Sequence, residues 1–190
     1  MELVRAGAID AELAALLWLL VDGGLSVQLR IVGEGDFLDA AAFCRQDLGL
    51  EDVVTLVGAT PPAHVVEELV DADIFLLGSV SEGFCNSVIE AQAMRLPVVV
   101  SDAGGLPENV ADGVTGFVVA RRDPSAMAEK LTFLINDPDL RQKMGQAGRR
   151  RIDTLFRLED QIRAFENLYD EVSHDAPEHG VSIERNELGS

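Results

Sequence analysis

The chain has 190 residues, 47% of them hydrophobic, and sets 33 acidic against 15 basic side chains for a net charge of −18. That length suits one compact domain with a real core, and so acidic a surface argues against nucleic acid as a partner, whose phosphates call for lysine and arginine. No apolar run reaches the roughly 20 residues of a membrane-spanning helix, no basic-then-apolar leader is present, and Cys44 and Cys85 have neither metal-ligand spacing nor a disulfide framework, so a cytoplasmic protein is expected.

In chain order, residues 2–5 have room for only a stub of strand. Asp10 can cap a helix over residues 11–21, ended by Gly23 and Gly24. Residues 27–32 alternate and then turn apolar, which predicts a strand. Gly33 and Gly35 form a turn into a helix over residues 37–48. A strand over 53–57, a loop through Gly58, Thr60 and Pro61, and a helix over 63–71 follow, with Pro62 suited to its first turn. The buried run at 74–77 predicts a strand. Residues 81–86 are a loop that runs into a helix over 87–96, and strands over 97–101 and 116–119 come next. Asp123 and Pro124 open a helix to about residue 134, Pro138 starts another to about 154, and residues 158–172 form an amphipathic one. Strands and helices alternating in this way predict an α/β fold, a doubly wound Rossmann-like parallel sheet with helices on both faces. The domain is expected over residues 1–172, and residues 173–190 read as a disordered polar tail.

Ligands of such sheets sit at the C-terminal ends of the strands. The loop Ser81-Glu82-Gly83-Phe84-Cys85-Asn86 leads to one such place. A helix start leaves unpaired N–H groups and about half a positive charge, a ready anion site. Glu82 and Glu90 bracket it. A structural alternative stands beside each: Ser87 and Glu90 have the spacing of a capping box, and Glu82 can be a solvated loop residue.

Glu82 and Glu90 stand as E-x7-E. Ser79 and Gly83-Phe84 lie around the first, and Glu90-Ala91-Gln92-Ala93-Met94-Arg95-Leu96-Pro97 continues from the second. Asp102-Ala103-Gly104-Gly105-Leu106-Pro107-Glu108-Asn109-Val110 and Asp112-Gly113-Val114-Thr115-Gly116-Phe117 complete the pattern. From about residue 9 to residue 172 the chain resembles the C-terminal, donor-binding half of the family 4 retaining glycosyltransferases, which have the GT-B fold. The resemblance implies transfer of a sugar from a UDP- or GDP-linked donor to an acceptor hydroxyl with retention. It makes Glu82 the catalytic residue, holding hydroxyls of the donor sugar. Glu90 would accept hydrogen bonds from the ribose hydroxyls, as a carboxylate can from two neighbours at once. Gly83, Phe84, Cys85 and Asn86 would offer backbone amides to sugar and phosphates, with Ser87 and Val88 at the helix start. Val57, Gly58 and Thr60 would meet the base. Gly33 and Gly35 would lie near the cleft, a plain tight turn being an equal reading for them. No cofactor or metal is expected.

The sequence also departs from that family. Residues 1–120 hold 19 acids and only Arg5, Arg30, Arg45 and Arg95 as bases, a net −15. Most members carry an arginine and a lysine after the first strand of this half. Gly7 stands near the place of the lysine, and whether Arg5 stands for the arginine is open. Gly78 replaces a usual proline. The first strand is central in such a sheet and looks truncated, and a missing strand leaves a gap of ~4.8 Å. A short strand from residues 1–6, or another chain in the slot, are the alternatives. The N-terminal acceptor half is absent, so a partner domain, partner chain or homodimer is implied. The competing reading is a non-catalytic truncated module that binds a nucleotide or a partner; a nucleotide-sugar epimerase is a weaker third. Arg149, Arg150 and Arg151 read as a solvated helical face, with peripheral contact to an acidic membrane or partner as the alternative.

Overall fold

The computed structural model describes residues 2–6, 23–34 and 38–175. Contacts divide it into two units, Met1–Thr154 and Leu155–Ser190. The nucleotide-binding domain expected over residues 1–172 therefore spans both. The helix expected over residues 11–21 lies outside the described residues, as does Gly35.

The first unit is built on six strands: β1 (Glu2–Ala6), β2 (Gln28–Val32), β3 (Val54–Gly58), β4 (Ile74–Leu77), β5 (Val98–Ser101) and β6 (Gly116–Val119). They form one sheet in the order β3-β2-β1-β4-β5-β6. Every pairing is parallel. The helices among them are α1 (Leu38–Asp47), α2 (Pro62–Asp71), α3 (Asn86–Ala93), α4 (Leu106–Asn109), α5 (Pro124–Asn136) and α6 (Pro138–Leu155). Parallel neighbours need a crossover, and a right-handed crossover helix satisfies the chain's twist.

The expected stub is instead a strand of five residues, as long as β2 and β3. It pairs on both edges, Leu3 opposite Leu29 on one side and Ile74 on the other. Its own residues thus fill the central slot and satisfy the backbone there.

Both faces of the sheet are covered, and the side chains alternate between two cores. Leu3, Leu29, Ile31, Ile74, Leu76 and Val99 join one cluster with Leu131, Leu134 and Met144 of the closing helices. Val32, Phe75, Leu77, Val98 and Val100 join the other with Val88 of α3 and Leu106 of α4. Burial on two faces is why β4 and the first three residues of β5 read as unbroken apolar runs. On the β2 side, Arg30 reaches the Glu68 carboxylate of α2 through Nε to Oε2 and through a second nitrogen to Oε1 (2.6 Å). The Arg30 guanidinium holds the Glu68 carboxyl below its ordinary value, against partial burial, which pushes it up.

The ends of α5 and α6 follow the expected punctuation. The Asp123 side chain accepts from the Ala126 amide and caps α5 (2.9 Å), and Asp137 accepts from the Leu140 amide (2.9 Å). Arginines of α6 terminate on carbonyls of other helices. Arg141 donates to Leu134 and Ile135 of α5, Arg149 to Ala93 of α3, and Arg151 to Glu108 of α4. Cations at helix C-termini complement the dipole.

The second unit contains α7 (Leu158–Asp175), so helix extends three residues into the expected tail, and residues 176–190 lie outside the described set. Leu158, Ile162, Phe165, Leu168, Tyr169 and Val172 are exposed along it. No helix among the described residues is long and apolar enough to cross a membrane.

Candidate functional site

The sheet order reverses between β1 and β4, and an open parallel sheet binds its ligands in the crevice at such a point. The loop after β4 and the start of α3 lie there. Two glycines shape this loop from the β5 side. A Cβ on Gly104 (φ +51°) would sit 1.8 Å from the Glu82 carbonyl oxygen, and one on Gly105 2.7 Å from that of Gly83. The Gly105 amide then donates to the Glu82 carbonyl (3.1 Å). The loop after β5 therefore lies directly against the backbone that carries Glu82.

Side chains complete the hold. Ser79 Oγ donates to Glu82 Oε1 (2.7 Å), and buried Ser101 at the end of β5 donates to the Ser79 carbonyl (2.5 Å). Arg121, just past β6, donates its backbone N–H and its Nε to Asp102 Oδ1 (2.8 and 2.9 Å). Its guanidinium also reaches the Asp102 and Val80 carbonyls (2.8 and 3.5 Å). These bonds, the backbone one first, hold the Asp102 carboxyl below its ordinary value.

The helix start differs from the capping-box alternative. Cys85 is the N-cap of α3, no side chain caps the helix, and the helix begins at Asn86. Ser87 is then two residues past the cap position, and its hydroxyl lies 3.1 Å from Cys85 Sγ. Cys85 is buried in the apolar cluster and fixes the turn there. Glu90 accordingly stands in the second turn, exposed, with no side-chain partner among the described residues. The amide of Cys85 is not an open donor as expected: it donates to Asn109 Oδ1 (3.1 Å). The amides of Asn86, Ser87 and Val88 have no carbonyl four residues back inside the helix and no side-chain cap.

At the far end α3 stops three residues earlier than expected, at Ala93. Arg95 takes a left-handed conformation (φ +65°), with its amide bonded to Gln92 O and that of Leu96 to Ala91 O. This is a Schellman closure with an arginine where glycine is usual. Gly145 of α6 lies against the Arg95 carbonyl, where a Cβ would come within 1.9 Å, and Gly148 lies against the Gln92 side chain.

The other expected residues share the same edge of the sheet. Gly33 follows β2 and donates its amide to the Gly58 carbonyl at the end of β3 (2.9 Å). Both have positive φ, +129° and +75°. Val57 and Thr60 are half-buried, Gly83 and Phe84 exposed, and Val88 fully buried, so Val88 can contribute only its backbone. Asn109, Gln92, Ser101, Asp102 and Arg121 were not singled out from the sequence. A polar residue closing an apolar run, as Ser101 does after three valines, is the one signal that could have found any of them.

The family described as glycosyl transferases group 1 matches residues 16–151. Capsular polysaccharide biosynthesis glycosyltransferase CapM of Staphylococcus aureus is 31% identical over 83% of this chain and 41% of its own length. D-inositol 3-phosphate glycosyltransferase of Nocardia farcinica is 36% identical over 70% of this chain and 30% of its own. Among solved structures, S. aureus TarM, crystallised with UDP, superposes with a TM-score of 0.80 at 26% identity, covering 89% of this chain and 35% of TarM. Sucrose-phosphate synthase of Thermosynechococcus elongatus shares the fold, with a TM-score of 0.80 at 24% identity over 92% of this chain and 46% of that one. The chain spans less than half the length of these relatives, and it belongs to the group 1 glycosyl transferases.

Proposed function

We propose that this chain is the donor-binding half of a retaining, family 4 glycosyltransferase, that it holds a UDP- or GDP-linked sugar, and that it does not turn over alone. The observation that carries this reading is the start of α3. Its first amides are uncapped, and Glu90, one turn further in, has no partner among the described residues. Those amides suit the diphosphate, and Glu90 suits the paired hydroxyls of a ribose. Glu82, steadied by Ser79, would meet the sugar hydroxyls. Val57, Gly58 and Thr60 would meet the base, and Gly33 would lie near the cleft at the adjacent strand end. The UDP bound by TarM supports this class of ligand. A second domain would position the acceptor and add positive charge at the phosphates, so an isolated half lacks both orientation and charge stabilisation.

The test is calorimetric titration of the chain with UDP, GDP and their sugar conjugates, beside Glu90→Ala. Binding by the wild type that is lost in the variant is expected, and the preferred nucleotide names the base. A well-folded wild-type chain that binds none of them sinks the reading. A second reading, an interaction module without chemistry, draws on the exposed apolar stripe of α7. Sedimentation separates the two: a concentration-dependent second copy without nucleotide affinity favours the module.

A further inference from the structure

Asn109 belongs to a helix of a single turn, where its only polar sequence neighbour is Glu108. It is nevertheless completely buried, and so is Gln92. Gln92 Nε2 donates to the Asn109 carbonyl (3.0 Å) and lies 3.4 Å from that of Val88 in α3. Asn109 Oδ1 accepts the amide of Cys85. The other side-chain atom of each, Asn109 Nδ2 and Gln92 Oε1, is buried without a partner. Burying an unpaired amide group is costly, so an arrangement that leaves two of them unpaired is held by what their other halves do.

What they do is orient α3. The Cys85 N–H is the outermost of the four orphan donors at the helix start. Asn109 turns it inward, away from any ligand, and Gln92 ties the same residue back to the body of the helix. We infer that Asn109 is a positioning residue of the donor site. By engaging Cys85 it fixes the angle between the residue 82–85 loop and the α3 axis, and it restricts the anion-facing donors to the amides of Asn86, Ser87 and Val88. The inference rests on the donor-binding reading above and goes beyond it in saying which amides act and what aims them. An apolar residue at position 109 fills the space but frees the Cys85 N–H and lets the helix start tilt.

The test follows backbone amides of the wild-type chain by NMR hydrogen exchange, with UDP and GDP titrated in parallel and the tighter nucleotide used throughout. The Cys85 amide is expected to be protected before nucleotide is added and to keep its shift afterwards, while the amides of residues 86–88 shift on binding. Asn109→Val should lose protection at Cys85 and weaken the nucleotide about tenfold, equivalent to ~1.4 kcal/mol. Leu106→Ala, a buried neighbour on the same turn, should lower the melting temperature while leaving both readouts unchanged per folded molecule. If Asn109→Val fails to fold, the wild-type exchange pattern decides: a Cys85 amide that exchanges freely, or shifts with those of residues 86–88, overturns the inference. Equal affinity in the wild type and Asn109→Val overturns the role of Asn109 alone. A wild-type chain without affinity for either nucleotide overturns the donor-site reading and this inference with it.

Discussion

The two halves of the sheet deliver backbone to the same edge in different ways. On the β2–β3 side, among the described residues, Gly33 and Gly58 meet through one backbone hydrogen bond, and a Cβ on Gly58 would point into open space. On the β4–β5–β6 side, the loop that carries Glu82 is tied by Ser79, Ser101, Gly105, Asn109 and Arg121. Under the proposed donor-binding function, the first side would meet a planar base, which needs a surface of the right shape, and the second hydroxyls and phosphates, which need donors and acceptors at set positions. The first kind of contact tolerates a loose loop, and the second calls for a loop with redundant restraints.

The largest break in that contrast comes from glycine. Gly104→Ala drives a methyl into the Glu82 carbonyl at a left-handed backbone position, and urea unfolding should show a loss of about 3 kcal/mol or more. Gly58→Ala meets only the backbone penalty, about 1–2 kcal/mol. Equal losses in the two variants would erase the distinction between the halves. Next in size is Ser101→Ala, which strips the Ser79 carbonyl of its buried donor and should cost about 1 kcal/mol by the same measurement. The smallest effect sharpens the contrast from the β2 side. The Glu68 carboxyl is lowered in the folded state. Its contribution is therefore complete above the ordinary carboxylate range and is lost as the pH falls through the folded value. Stability curves of the wild type and Glu68→Gln should converge at low pH and separate by less than ~1 kcal/mol at neutrality, the range of a partly exposed pair.

Much of this fold was legible because its signals are local. Residues 74–77 and 98–100 are apolar on both faces of the pleat, and Asp123 followed by Pro124 punctuates a helix without help from afar. The central strand was harder to read, since five residues with an arginine among them become a strand only through the partners on either side. The capping box failed for a related reason. Ser87 and Glu90 have its spacing, but with Cys85 buried the N-cap falls two residues earlier, and tertiary packing outweighs a cap worth about 1 kcal/mol. The Asn109 bonds to Cys85 and Gln92 join residues 24 and 17 positions apart. Asn109 and Gln92 both lie within the motif stretches, but the motif does not say what either one bonds, so only the folded chain displays the bonds. The carboxylates of the candidate site, and Ser79 beside Glu82, were visible in advance; the polar residues that brace the loop behind them, Ser101, Asn109 and Arg121, were not.

The position of β1 has a further consequence, in time rather than in space. Leu3 finds one neighbour at Leu29 but the other only at Ile74. On a ribosome adding about 5–20 residues per second, the second neighbour arrives roughly 4–14 s after β1 itself. Throughout that interval the middle of the future sheet is an open edge, the kind of surface that recruits other nascent chains. Yield of this chain in cells should then depend on elongation speed and chaperone supply across residues 30–76, a stretch that contains none of the candidate ligand-binding carboxylates.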